Sequence, residues 1–180
     1  MSVFTNPASS SKEQAQEYTR AVLGLAEGLN PLDVLYGTPA VARKAVEGMS
    51  PRAMFTPEAA GKWSVRQVLR HLVDSEIVWS WRLRLVLAQD RPVLTGYDQD
   101  AWAERLHYAA ADPEESLQEF AVLRRGNLRL LEQAGPDDLR RVGVHSERGE
   151  ESVEHLIRLY AGHDILHLRQ LERIRAAVGG

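Results

Sequence analysis

Residues 152–178 read SVEHLIRLYAGHDILHLRQLERIRAAV. Val153, Leu156, Tyr160, His163, His167, Ile174 and Val178 recur there at spacings of three and four with one gap of seven. Such a stripe is the interior face of a helix in a bundle. His163 and His167 stand where the pattern otherwise places Leu or Val, and their i, i+4 separation stacks two imidazoles one turn apart, a chelating arrangement. The pair is similar to that of an HExxH helix, but Asp164, Ile165 and Leu166 lie between, with no Glu in the general-base position. Six histidines in 180 residues produce about 0.2 such pairs by chance, so the spacing alone carries little. More weight comes from burial: four ring nitrogens in one apolar seam need partners, and a metal satisfies one on each ring. The competing reading is two half-buried histidines bonded to backbone or carboxylates.

Working backwards, Ser64-Val65-Arg66-Gln67 forms a capping box followed by Val68, Leu69, Leu72, Val73, Trp79 and Leu83 at helical spacing. This predicts a helix to about Gln89, ended by Arg91-Pro92. At 100° per residue His71 lies about 60° from Val68 and about 20° from Val78, so it too points inward. Three neutral imidazoles from two facing helices suit Zn, Ni, Cu or Fe and leave a coordination position for water or substrate. His107 and His145 fall in loop-like segments and His155 lies off the stripe, so all three read as surface or structural residues.

The remaining sequence is also helical. Ser11 and Gln14 make a capping box for a segment reaching about Leu29, where Asn30-Pro31 interrupts. Leu32 to Met49, punctuated by Gly37, Pro39 and Gly48, reads as one kinked helix or two short ones. Thr95 to Asp98 reads as a loop leading to a short helical turn around Trp102. Asp112, Pro113 and Glu115 open another helix, which Gly135-Pro136 stops. Residues 142–150 read as a polar loop. With strand signals nearly absent, the expected fold is all-α, a helical bundle in a single domain: an N-terminal arm and helical extension over 1–30, then the bundle over 31–178.

Composition narrows the function. The charged fraction is 26% and the hydrophobic fraction 44%, ordinary for a globular chain. A formal charge of −3 argues against a nucleic-acid binder, and Arg124-Arg125 and Arg140-Arg141 read as solvated faces. No apolar run is long enough to cross a membrane and no signal peptide opens the chain, so the expected compartment is the cytoplasm. The absence of cysteine removes disulfides, thiolate ligands and a cysteine nucleophile; any thiol in the chemistry comes from outside.

The arrangement resembles the DinB/YfiT-like superfamily of metal-binding four-helix bundles over roughly Leu32 to Ile174. Gly61-Lys62-Trp63-Ser64-Val65-Arg66-Gln67-Val68 with His71-Leu72-Val73-Asp74-Ser75 is similar to the family's second helix. Leu159-Tyr160-Ala161-Gly162-His163 with His167 is similar to its fourth, and Tyr97-Asp98-Gln99-Asp100-Ala101-Trp102-Ala103 to the loop of the YfiT branch. The resemblance implies an up-down-down-up bundle, a homodimer, and a Ni or Zn ion on His71, His163 and His167 completed by water. It implies thiol-dependent transferases using bacillithiol, mycothiol-dependent isomerases or metal-dependent hydrolases. Leu166 and Gln170 stand where close relatives often have further histidines, and Gly162 replaces a frequent Trp.

The first expectation is therefore a metal-dependent S-transferase acting on a small bacillithiol-like thiol, whose pKa the metal lowers. A hydrolase that activates water, or a binding bundle without turnover, are the alternatives. Asp74 and Asp98, with Asp100, are the candidate base or supporting carboxylates. Tyr97 and Trp102 are candidate pocket residues, and Trp63, Trp79 and Trp81 read as pocket wall or core.

Overall fold

The computed structural model describes residues 12–179, so the proposed Ser11 cap lies outside the described residues. Helix α1 (Lys12–Leu25) precedes α2 (Pro31–Val46), a short α3 (Pro51–Phe55), α4 (Val65–Ala88), α5 (Gln99–Arg105), α6 (Pro113–Glu132), a short α7 (Pro136–Arg140) and α8 (Val153–Val178). The start signals act as the sequence predicts. Ser64 N–H donates to Gln67 Oε1 at 2.9 Å, Asp112 Oδ1 accepts from Glu115 N–H at 2.9 Å, and Ser152 Oγ accepts from His155 N–H at 3.0 Å. Helix α2 runs unbroken through Gly37 and Pro39.

Four long helices make the bundle. Side-chain pairs fix their directions: Arg70 meets Glu119 and Glu76 meets Arg124, so α4 and α6 run parallel. His71 meets His163 while Trp79 stacks on Tyr160, so α4 and α8 are antiparallel. Arg43 pairs with Glu114 and Tyr36 with Glu132, so α2 and α6 are antiparallel. The result is an up-down-down-up four-helix bundle, in which the consecutive parallel helices α4 and α6 are joined by the long crossover 89–112.

One expectation about secondary structure fails. The predicted polar loop after residue 141 holds strands β2 (Val142–His145) and β3 (Gly149–Ser152), and β1 (Val93–Leu94) pairs with β2 in parallel. The register sets Val93 opposite Val144 and Val142 opposite Ser152. Gly143 permits this packing, because a Cβ there would meet Leu94 Cδ1 and Val86 Cγ2, each at 2.8 Å. Four-residue strands are too short for alternation to register in the sequence.

The core is layered. Leu83, Val86, Leu128, Val153 and Leu156 belong to one apolar cluster, and Val65, Leu69, Phe120, Leu171 and Ile174 to another. Between them every long helix contributes polar groups: Thr38, Asp74 to Glu76, Arg124 and Asn127, and the segment His163, Asp164 and His167. Arg124, read from sequence as solvated, is 1% exposed. It donates to both oxygens of Glu76, to both of Asp164, and through Nη1 to Leu35 O at 2.9 Å. Arg141 is half-buried, donating to Val86 O and Gln89 O at the end of α4.

Candidate metal centre

His71, on the inward face of α4, and His163 and His167, one turn apart on α8, meet in the polar layer. One ring nitrogen from each lies within 4.8 Å of the other two. His71 Nε2 and His163 Nε2 are 3.2 Å apart. Two imidazole nitrogens bound tetrahedrally at about 2.0–2.1 Å would stand about 3.3 Å apart, so the spacing suits a shared ion. His167 Nδ1–H donates to Gln170 Oε1 at 2.8 Å, which leaves the Nε2 lone pair for the centre. Gln170, where the resemblance leads one to expect a further histidine, thus sets the tautomer of His167.

Electrostatics also favour coordination. Burial is the main force holding all three rings deprotonated: His71 and His163 lie well below the ordinary histidine value, His167 at about 4. The neighbouring rings push His71 and His163 the same way. Neutral imidazole is the ligand form. Trp63 packs against His71 with ring centroids 5.0 Å apart and shields that side.

The other predicted residues divide. Asp74 is buried and engaged, accepting from Arg70 Nη2 and from Tyr108 OH, both at 2.7 Å. Asp98 is the N-cap of α5, its Oδ1 accepting from Asp100 N–H and Ala101 N–H at 3.0 Å. Tyr97 reaches the centre through Ser75: its hydroxyl is 3.1 Å from Ser75 Oγ, which is 3.3 Å from His71 Nε2. Trp102 stands behind Tyr97, at 4.5 Å between ring centroids. Trp79 stacks on Tyr160 in the core and Trp81 is 63% exposed.

A cavity of about 60 Å³ opens beside the rings, walled by His71, Ser75, Tyr97, His163, Arg82 and His145. Ser75 and Arg82 were not singled out by sequence, although Ser75 follows His71 by one turn on the same face. Of the two readings of His145, surface or structural, the first is excluded: it is 2% exposed, on β2 rather than in a loop, and burial aided by Arg148 and Arg82 takes it down to about 3.

The DinB superfamily matches residues 35–171, most of the described bundle. The chain belongs to the DinB superfamily. Among its relatives, "Putative metal-dependent hydrolase YfiT" of Bacillus subtilis is 31% identical over 149 residues, covering 82% of this chain and 84% of that protein. "Putative metal-dependent hydrolase OB0782" of Oceanobacillus iheyensis is 32% identical over 145 residues, covering 81% and 82%. The solved structure of B. subtilis YfiT, described as a probable metal-dependent hydrolase with an unusual four-helix bundle topology, superposes with a TM-score of 0.76 at 29% identity, covering 95% of this chain and 91% of that one. Helix α1 lies outside the matched DinB region. It docks on α8 at Gly162, where a Cβ would stand 2.0 Å from Val22 O, so the bulky residue expected there is sterically excluded.

Proposed function

We propose that this DinB protein is a metal-dependent enzyme that activates a small-molecule thiol and joins the resulting thiolate through its sulfur to an electrophile, whose leaving group departs. One observation carries the reading: three neutral imidazoles face a common point while the buried carboxylates on their own helices, Asp74, Glu76 and Asp164, are engaged elsewhere. Asp74 holds Arg70 and Tyr108; Glu76 and Asp164 hold Arg124. A divalent ion, Ni or Zn by the donor set, would lower the pKa of a thiol or water at the open position. A thiol needs nothing more, because the thiolate is itself the nucleophile. Water attacking an ester or amide gains from a base within reach.

The chain supplies binding, orientation and a proton route. His71, His163 and His167 are the ligands, and Gln170 holds the third in its coordinating tautomer. Trp63 excludes solvent beside His71. Ser75 Oγ and Tyr97 OH form a hydroxyl pair leading from His71 to the cavity, placed to pass the thiol proton outward. With no cysteine in the chain the sulfur arrives on the substrate.

The names of the relatives favour a second reading, metal-dependent hydrolysis, for which Glu147 on the cavity wall is the candidate base. Incubating metal-loaded protein with monochlorobimane and a panel of low-molecular-weight thiols separates the two. Metal-dependent acceleration of conjugation supports transfer. Cleavage of a model ester without thiol conjugation replaces it with hydrolysis.

A further inference from the structure

The geometry points to a carboxylate-binding subsite at Arg82, in the cavity shared with His71 and His163, that holds an acidic group of the small-molecule substrate. This deepens the reading above by naming a property of the substrate, although the anion contact itself requires no metal.

Arg82 is 5% exposed, and no carboxylate is paired with it among the described residues. The contrast with neighbouring cations is sharp: the buried Arg124 meets Glu76 and Asp164, and the half-buried Arg148 meets Glu151. A buried guanidinium is normally paired, because desolvating its charge is costly. Its hydrogen bonds are also incomplete. Nη2 donates to Thr95 O at 2.6 Å, and Nε has no partner. The remaining contact, His145 Nε2 at 3.2 Å, competes with the Glu147 N–H that points at His145 Nδ1 at 3.1 Å. A neutral imidazole accepts at one nitrogen only, so His145 cannot satisfy both donors. Arg82 is thus a cation with spare donors on a cavity wall, the condition a planar, two-oxygen acceptor relieves.

Position and charge select the ligand class. Arg82 follows His71 by eleven residues on α4, a backbone rise of about 16 Å, and both side chains line the one cavity. An occupant therefore carries its acidic group several bonds from the end it presents to the histidines. With Arg148 neutralised by Glu151, one unpaired cation remains on the wall, and Glu147 lies nearby. Arg82 offers one positive charge to pair with and Glu147 repels a second negative one, which favours a carboxylate over a phosphate dianion.

Butyrate, butyramide and inorganic phosphate are the probes, titrated into metal-loaded protein by NMR or calorimetry. Butyrate is expected to bind, and Arg82→Gln to weaken it about tenfold or more, the loss of a charge-assisted hydrogen bond, while Arg82→Lys costs less. Butyrate binding is expected to survive in His71→Ala, which separates this contact from the metal centre. Equal affinity for butyramide, no effect of Arg82→Gln, or binding lost in His71→Ala would overturn the subsite, and tighter binding of phosphate would overturn the carboxylate assignment. Should Arg82→Gln fail to fold, phenylglyoxal modification of the wild-type protein decides: butyrate is expected to protect Arg82, and modification at an unchanged rate refutes the proposal.

Discussion

Arg124 Nη1 donates at 2.9 Å to the carbonyl oxygen of Leu35, the acceptor that would pair in a regular helix with the amide of residue 39, which is Pro39. Proline has no N–H to give, and the helix is continuous there because a guanidinium from α6 takes the place of the missing donor. Arg124→Met is expected to cost about 3–5 kcal/mol, since Glu76 and Asp164 would be left buried without a cation. That corresponds to a fall of roughly 10 °C in Tm for a chain of this size. Pro39→Ala should recover about 1 kcal/mol in the Arg124→Met background and little in the wild type. Strict additivity in urea unfolding of the four proteins would show that the Leu35 contact contributes nothing.

Metal content tests the centre directly. His71→Ala, His163→Ala and His167→Ala should each lose the ion, measured by elemental analysis of purified protein. Gln170→Leu removes the acceptor for His167 Nδ1 and is expected to weaken metal affinity about 10- to 100-fold at unchanged stoichiometry. Full metal retention by the histidine variants would end the case for this site.

Acid should destabilise the chelator-treated protein in a defined window. His167 and His145 have folded values near 4 and 3, and His71 and His163 are also well below the ordinary 6.5. Depressed histidines bind fewer protons folded than unfolded, so their contribution is complete above about pH 6.5 and is lost as pH falls toward 4 and below. Each group adds a slope of up to about 1.4 kcal/mol per pH unit within its window. Thermal melts from pH 7 to pH 4 that stay flat would contradict the burial of these rings.

Gly162→Ala should act on α1 rather than on the metal. The new methyl would meet Val22 O, so α1 must shift, at a cost of about 1–3 kcal/mol. Hydrogen exchange is expected to rise over Lys12–Leu25 while the ion stays bound. Unchanged protection there would mean that the backbone of Val22 moves aside freely.

The long helices and their caps were legible because each start uses a local signal: Ser64 with Gln67, Asp112 with Pro113, and Ser152. The metal candidates were legible because His163 and His167 interrupt an apolar stripe. What stayed hidden depends on contacts between distant segments. Arg124 looks like half of a surface pair until its spacing of four from both Phe120 and Leu128 is noticed, which puts it on the buried face of α6. Leu171 fills the seven-residue gap in the α8 stripe, and Ser75 and Gln170 gain meaning only once α4 and α8 face each other. The short strands escaped because Gly143 serves a close approach to Val86 and Leu94 that no local pattern encodes.

The charged layer between the two apolar clusters also works as a register lock. Sliding one long helix by a turn, about 5.4 Å, would drive Glu76, Arg124 or Asp164 into hydrocarbon and separate it from its counter-charge. The sliding freedom that an all-leucine interior leaves open is thereby closed, and the histidines are aligned by their neighbours before any ion arrives.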